Sequence, residues 1–153
     1  MTDAAQERRR RALPPLYFLV ALIIQALLGR VGAPFVADWL RLAGSVVVLA
    51  GLLLTVWGGG VFARAGTTVH PHEQPSALVT SGPFRFSRNP MYLGMAMALF
   101  GTALLFGKLL PFVVPFVFAS TISRRFIQPE EQRLHAQFGE AYDAYTNRVR
   151  RWL

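Results

Sequence analysis

Apolar residues in this chain come in long blocks rather than in alternation with polar ones. The first block runs from about Ala12 to Gly29, with Arg8 to Arg11 before it and Arg30 after it. A basic stretch ahead of an apolar core also describes a signal peptide. This core is long, no small-x-small site precedes Arg30, and further apolar blocks follow, so a retained span is expected. The second block is free of charge from Leu42 to Ala63. As a helix it covers about 33 Å, enough to cross a hydrocarbon core. Gly44, Gly51, Gly58, Gly59 and Gly60 lie along it, and small residues let membrane helices approach closely. The third block lies between Asn89 and Gly107. The fourth, Leu109 to Ser123, contains Pro111 and Pro115; at about 22 Å it would barely span alone. Joined at Gly107-Lys108, blocks three and four predict a tight helical hairpin.

Two polar stretches remain. The Arg64–Asn89 loop holds Pro71, Pro75 and Pro83, with Pro90 directly after it, so it is not one helix. The C-terminal tail reads differently. Gln128-Pro129 predicts a helix start, with Pro129 at the first helical position. Glu130 and Glu131 fall in the first turn, where the helix dipole favours acids. Leu134, Phe138, Ala141, Tyr142, Tyr145 and Val149 recur at helical spacing. The tail is therefore expected to be an amphipathic interfacial helix, bent at Gly139. The fold class that results is all-α integral membrane, with about four transmembrane helices, in one domain spanning residues 1–153.

Composition agrees. Charged residues make up 16% of the chain, against about 25% in ordinary soluble domains. The formal net charge of +8 would suggest nucleic acid in a soluble protein. Here basic flanks of membrane segments explain it, and no nucleic-acid-binding motif is present. With both termini cytoplasmic, thirteen basic residues lie inside; Arg30, Arg41 and Lys108 lie outside. The positive-inside rule selects that orientation, which makes the Arg64–Asn89 loop cytoplasmic too. There is no cysteine, which removes disulfides, thiolate metal sites and a cysteine nucleophile.

Candidate chemistry collects in two places, Leu78 to Gly94 and Arg124 to Glu131. Each sits at the cytoplasmic end of an apolar block, and the hairpin returns these ends to one membrane face. Arg88 can then meet Glu130 or Glu131 across a site half in water and half in lipid. A plainer reading makes Arg85, Arg88, Arg124 and Arg125 interfacial anchors that snorkel to phosphates, and the two glutamates helix-start acids. His70 and His72 read as solvated loop residues, because no further His or Cys stands near them to complete a metal site. Gly82 and Gly94 do not make a phosphate-cradling loop.

The run Gly82-Pro83-Phe84-Arg85-Phe86-Ser87-Arg88-Asn89-Pro90-Met91-Tyr92-Leu93-Gly94 resembles the GPY-R-x-x-RHPxYxG signature of the isoprenylcysteine carboxyl methyltransferase and phospholipid methyltransferase superfamily. Glu130-Glu131, followed by Leu134 and Phe138-Gly139-x-x-Tyr142-x-x-Tyr145, is similar to its second signature. Ala65 to Val69 and Leu78 to Pro83 also look like bacterial members. The resemblance covers about Arg64 to Trp152, while the first two spans match in topology alone.

The resemblance implies a small membrane methyltransferase using S-adenosyl-L-methionine, in a bacterial inner membrane, with a lipophilic acceptor and no metal. Carried over by motif position, Arg88, Asn89, Tyr92, Glu130 and Glu131 are the expected cofactor contacts. Backbone around Leu78, Val79 and Gly82 completes that pocket. Arg88 and Glu131 are the expected catalytic pair, and Arg125 is an expected substrate anchor. Asn89 stands where the family usually has His, so a hydrogen-bond donor survives and a titratable group is lost. The acceptor stays open between a carboxylate or other small hydrophobic group and a phospholipid amine. A non-enzymatic membrane protein keeping the fold is the rival from another class.

Overall fold

The computed structural model describes residues 13–35, 37–64 and 77–153. Helix α1 is Pro14–Leu28, α2 Asp38–Arg64 and α3 Pro90–Phe106. Helix α4 is Val113–Ile122, α5 Gln128–Phe138 and α6 Glu140–Thr146. Short 3₁₀ turns occupy Gly82–Arg85 and Leu110–Phe112. No strand occurs among the described residues. Most of the Arg64–Asn89 loop, with His70 and His72, lies outside them, as do Arg8 to Arg11.

Two helices are long and apolar enough to cross a membrane, α2 and the continuous stretch Leu110–Phe138. Helices α1 and α3 are apolar but shorter, with 15 and 17 residues. Helix α2 turns the usual burial pattern around. Its buried residues are Gly44, Gly51 and Gly58, while Trp39, Leu42 and Val56 are about 70% exposed. Such a helix satisfies its apolar side chains in lipid and uses its glycines to approach its neighbour.

That neighbour is α3, whose Gly94 and Gly101 face the same seam. A Cβ added at Gly51 would sit 2.5 Å from the Gly94 carbonyl oxygen, and one at Gly44 would sit 2.8 Å from that of Gly101. The two backbones therefore touch. Thr55 adds a cross-link, its hydroxyl donating to the Gly51 and Met91 carbonyls at 2.9 and 3.3 Å.

Helix α3 stops at Gly107, which has φ +64° and donates to the Ala103 carbonyl. Only glycine takes that backbone region without strain. The chain then folds back into α4, as the Gly107-Lys108 hairpin predicts. Gln25, fully buried in α1, clamps both limbs, its Nε2 donating to the Leu99 and Pro111 carbonyls at 2.8 and 3.1 Å. The main buried cluster comprises Ala21, Tyr92, Leu99, Val114, Phe118, Ile122, Phe126 and Ile127.

One expectation is refined. The α-helix α5 begins at Gln128 with Pro129 in its first turn, but not as a free end: Ile127 keeps right-handed helical angles, φ −66° and ψ −51°, and the chain runs on from α4 into α5. Ser123–Ile127 is a π-turn, closed by the Gln128 N–H donating to the Ser123 carbonyl. Pro129 lacks an N–H and crowds the carbonyl four residues back. The wider π-turn lets the helix pass the proline without breaking. The fourth block is therefore longer as a helix than its apolar run suggests.

The expected bend is present, with Gly139 at φ +48° separating α5 from α6. Beyond it Tyr142, Tyr145 and Val149 are buried together with Leu78, Leu134 and Phe138 against them. Ala141, placed on this face by helical spacing, is exposed.

Candidate active site

The site assembles where the chain enters α3, leaves α4 and ends α6. Pro90 at the first position of α3 pushes Asn89 out of the helical region, to φ −132°. The residues before it run in extended or turn form and meet a second non-helical stretch, Arg150 and Arg151. The Arg88 N–H donates to the Arg150 carbonyl at 3.0 Å. Asn89 Nδ2 donates to the Arg151 carbonyl at 3.0 Å, and the Ser87 hydroxyl donates to the same oxygen at 3.4 Å. Tyr145 adds a further tie, its hydroxyl donating to the Phe84 carbonyl at 2.7 Å.

At the centre is Glu131, in the first turn of α5. Arg151 meets it with both arms of its fork: Nε is 3.0 Å from Oε1 and Nη2 is 2.6 Å from Oε2. Arg88 Nη1 lies 3.3 Å from Oε1 and donates to the Tyr142 hydroxyl at 3.4 Å. The side chains of Arg88 and Glu131 are only 16% and 17% exposed, so this ion pair is shielded from solvent in a way that surface pairs are not.

The electrostatics follow from the contacts. The hydrogen bond to Glu131 holds the Arg151 guanidinium above its already high value, against the pull of burial. Burial raises the Tyr142 hydroxyl; the Glu131 charge raises it further and the Arg88 charge opposes both. Burial pushes Tyr145 up to about 12, with Arg88 pulling the other way. Both tyrosines are therefore neutral hydrogen-bonding groups at neutral pH.

Arg88, Glu131, Tyr142 and Arg151 line an open cavity of about 590 Å³, together with Gln128, Gln132, His135, Asp143 and Thr146. That is within the size range of small-molecule sites. His135 Nε2 and Asp143 Oδ1 stand 3.1 Å apart across the Gly139 bend. The wall offers guanidinium donors, carboxylate acceptors, neutral amides and the aromatic edge of Tyr142.

The expected site residues fall into three groups. Arg88 and Glu131 meet in the cavity wall, as their positions suggest. Glu130 does not line the cavity: it is within electrostatic reach of both Tyr142 in the wall and Tyr92, and Tyr92 is buried in the main core away from the cavity. Asn89 is engaged with Arg151. Leu78 packs on the Tyr142–Tyr145–Val149 cluster. Val79 is half-buried. Gly82, with φ +59°, turns the chain against Val61 and Trp57 of α2. Arg125 lies apart, its Nη1 donating to the Tyr17 hydroxyl of α1 at 3.1 Å.

Arg151, Gln128, Gln132, His135, Asp143 and Thr146 are not among the expected site residues. Five of them sit on α5 and α6, and three of these, Gln128, His135 and Thr146, stand three or four residues from Glu131 or Tyr142, so helical spacing was the signal for those three. Arg151 follows no periodicity.

The sequence profile of the phospholipid methyltransferase family matches residues 39–141 of this chain. That is 103 of 153 residues and includes Arg88, Glu130 and Glu131. The chain belongs to the phospholipid methyltransferase family. It is also similar to an uncharacterised protein of Haemophilus influenzae, 35% identical over 63 residues, which are 41% of this chain and the whole of that relative. No solved structure matches. The family is one of methyltransferases, and the long apolar helices α2 and Leu110–Phe138 suit a membrane.

Proposed function

We propose that the protein transfers a methyl group from S-adenosyl-L-methionine to a lipophilic acceptor at the cytoplasmic face of a membrane. The observation that carries this reading is the Arg88–Glu131–Arg151 cluster, set in a polar cavity beside the ends of apolar helices. The cavity's chemistry fits such a cofactor. Arg88 has a buried Nε with no partner among the described residues, a donor surplus suited to a carboxylate. Glu131 suits ribose hydroxyls or an amino group, and Gln128, Gln132 and Thr146 supply neutral hydrogen bonds. Glu130 and Tyr92 support the pocket from the core side. Leu78, Val79 and Gly82 shape the loop that leads into it, and Arg88 and Glu131 are the pair expected to touch the bound molecule.

When bound, the cofactor supplies an electrophilic methyl group, and the protein's task is positioning and electrostatics. Asn89 bears on the acceptor. Its amide is committed to the Arg151 carbonyl, and it has no proton-accepting group comparable to histidine. An acceptor carboxylate attacks without first losing a proton, so this arrangement favours a carboxylate or similar small hydrophobic acceptor. A phospholipid amine is the second reading, favoured by the family's description; the amine must shed a proton. Arg125, beside an apolar groove between α1 and α4, is the proposed anchor for the acceptor's polar end.

Calorimetry on the detergent-purified protein tests the reading. Binding of S-adenosyl-L-methionine is expected, and Glu131→Gln is expected to weaken it. Absence of binding by the folded wild-type protein overturns the reading and favours a non-enzymatic membrane role. Methyl transfer to a carboxylated lipid, compared with transfer to phosphatidylethanolamine, then decides the acceptor.

A further inference from the structure

The stretch from Arg148 onward lies outside the two signatures and beyond residue 141, where the family profile ends, yet it supplies the shortest contact in the cavity wall. A carboxylate offers about four acceptor positions. Two N–H groups of Arg151 donate to Glu131, one to each oxygen, and the Arg88 guanidinium stands beside Oε1 as an ion pair at 3.3 Å. Arg151 therefore takes a position on each oxygen. A single arginine bound in this fork geometry fixes the carboxylate plane, which a point charge cannot do.

The backbone behind Arg151 is itself held from several sides. Val149 is buried with Tyr142 and Tyr145, and Trp152 packs against the main core. Between them, Ser87, Arg88 and Asn89 donate to the Arg150 and Arg151 carbonyls. The strap therefore joins two hydrophobic clusters, and the residue between its anchors faces the site. This also gives Asn89 a job: its amide reads the Arg151 carbonyl directly.

We propose that Arg151 is a positioning residue that acts through Glu131, with Asn89 and Ser87 holding the strap that carries it. The proposal rests on the cofactor reading above. Arg151 fixes the Glu131 carboxylate in the orientation a bound cofactor meets, leaving acceptor capacity on it for that molecule. Removing the fork frees the carboxylate to rotate toward Arg88 alone, and affinity falls without loss of any contact made by Arg151 to the cofactor itself.

The test is a double-mutant cycle on the full chain in detergent, read by calorimetric affinity for S-adenosyl-L-methionine, with thermal unfolding followed in parallel. Arg151→Ala is expected to weaken binding by about tenfold or more, the scale of lost charge-assisted hydrogen bonds. Arg151→Lys restores only part, because an ammonium cannot span both oxygens. In a Glu131→Gln background, Arg151→Ala is expected to add less than about twofold, since coupled residues are non-additive. Wild-type binding with Arg151→Ala unchanged overturns the proposal. So does a full Arg151→Ala effect in the Glu131→Gln background, which would mean Arg151 touches the ligand or acts through the fold. If Arg151→Ala does not fold, the same cycle run with Arg151→Lys carries the test, with the same two outcomes deciding. Failure of the wild-type protein to bind is a different result and removes the cofactor reading.

Discussion

Gly51→Ala should loosen the molecule even though it adds one methyl group to a helix whose apolar side chains are mostly exposed. The new Cβ would lie 2.5 Å from the Gly94 carbonyl oxygen, 2.7 Å from the Ala98 nitrogen and 3.1 Å from the Met97 Cβ. The two closest atoms are backbone, so no side-chain rotation relieves the clash. Ordinary contact begins near 3.4 Å, so α2 and α3 must part by about 0.9 Å at this point. Overpacking of this kind costs about 1–3 kcal/mol. Alanine regains up to about 1 kcal/mol of helix propensity over glycine. The expected net loss is therefore about 0–2 kcal/mol, against a gain of up to about 1 kcal/mol where alanine meets no neighbour. Gly60→Ala is the matched control: it lies on the same helix with nothing within 4 Å of its added Cβ, and it should be neutral or slightly stabilising. Thermal unfolding of the purified protein in one detergent measures both. If Gly51→Ala and Gly60→Ala unfold at the same temperature, the backbone contact between α2 and α3 is not what holds them together.

Three further outcomes follow from named contacts. Tyr145→Phe removes the buried hydrogen bond to the Phe84 carbonyl and should cost about 1–3 kcal/mol of stability; an unchanged unfolding midpoint would refute that assignment. Arg125→Ala should raise KM for the lipid acceptor while leaving cofactor affinity within about twofold, since Arg125 contacts Tyr17 and does not line the polar cavity; a matching loss of cofactor affinity would contradict the separation. A cysteine placed at His72, in this cysteine-free chain, should be labelled by an impermeant reagent from the cytoplasmic side alone, and labelling from the opposite side would reverse the orientation.

The helices and the hairpin were legible because apolar blocks, prolines and Gly107 act locally. The bend at Gly139 was legible for the same reason. The glycines of α2 announced a close neighbour but not which one, since Gly94 and Gly101 become partners only once α3 lies antiparallel against α2. The π-turn left no periodic trace, and a proline such as Pro129 more often opens a helix than rides inside one. Within the site, reasoning from segment ends brought Arg88 to Glu130 or Glu131 without choosing between them, and the structure selects Glu131 as its ion-pair partner. Arg151 could not be placed in that way. Its place depends on Val149 and Trp152 entering two different clusters, a tertiary arrangement with no signal in the spacing of the tail.

The π-turn at Ser123–Ile127 has a geometric effect on everything that follows it. One additional residue in a helix advances the downstream side chains by about 100° around the axis. The direction in which Glu131 points is thus fixed by an offset eight to four residues earlier, at the level where α4 leaves the apolar core. An uninterrupted α-helix of the same composition would carry Glu131 about a quarter-turn or more away from Arg88 and Arg151. The extra residue is a phase setting, tying the rotation of a lipid-facing helix to the aim of a single carboxylate.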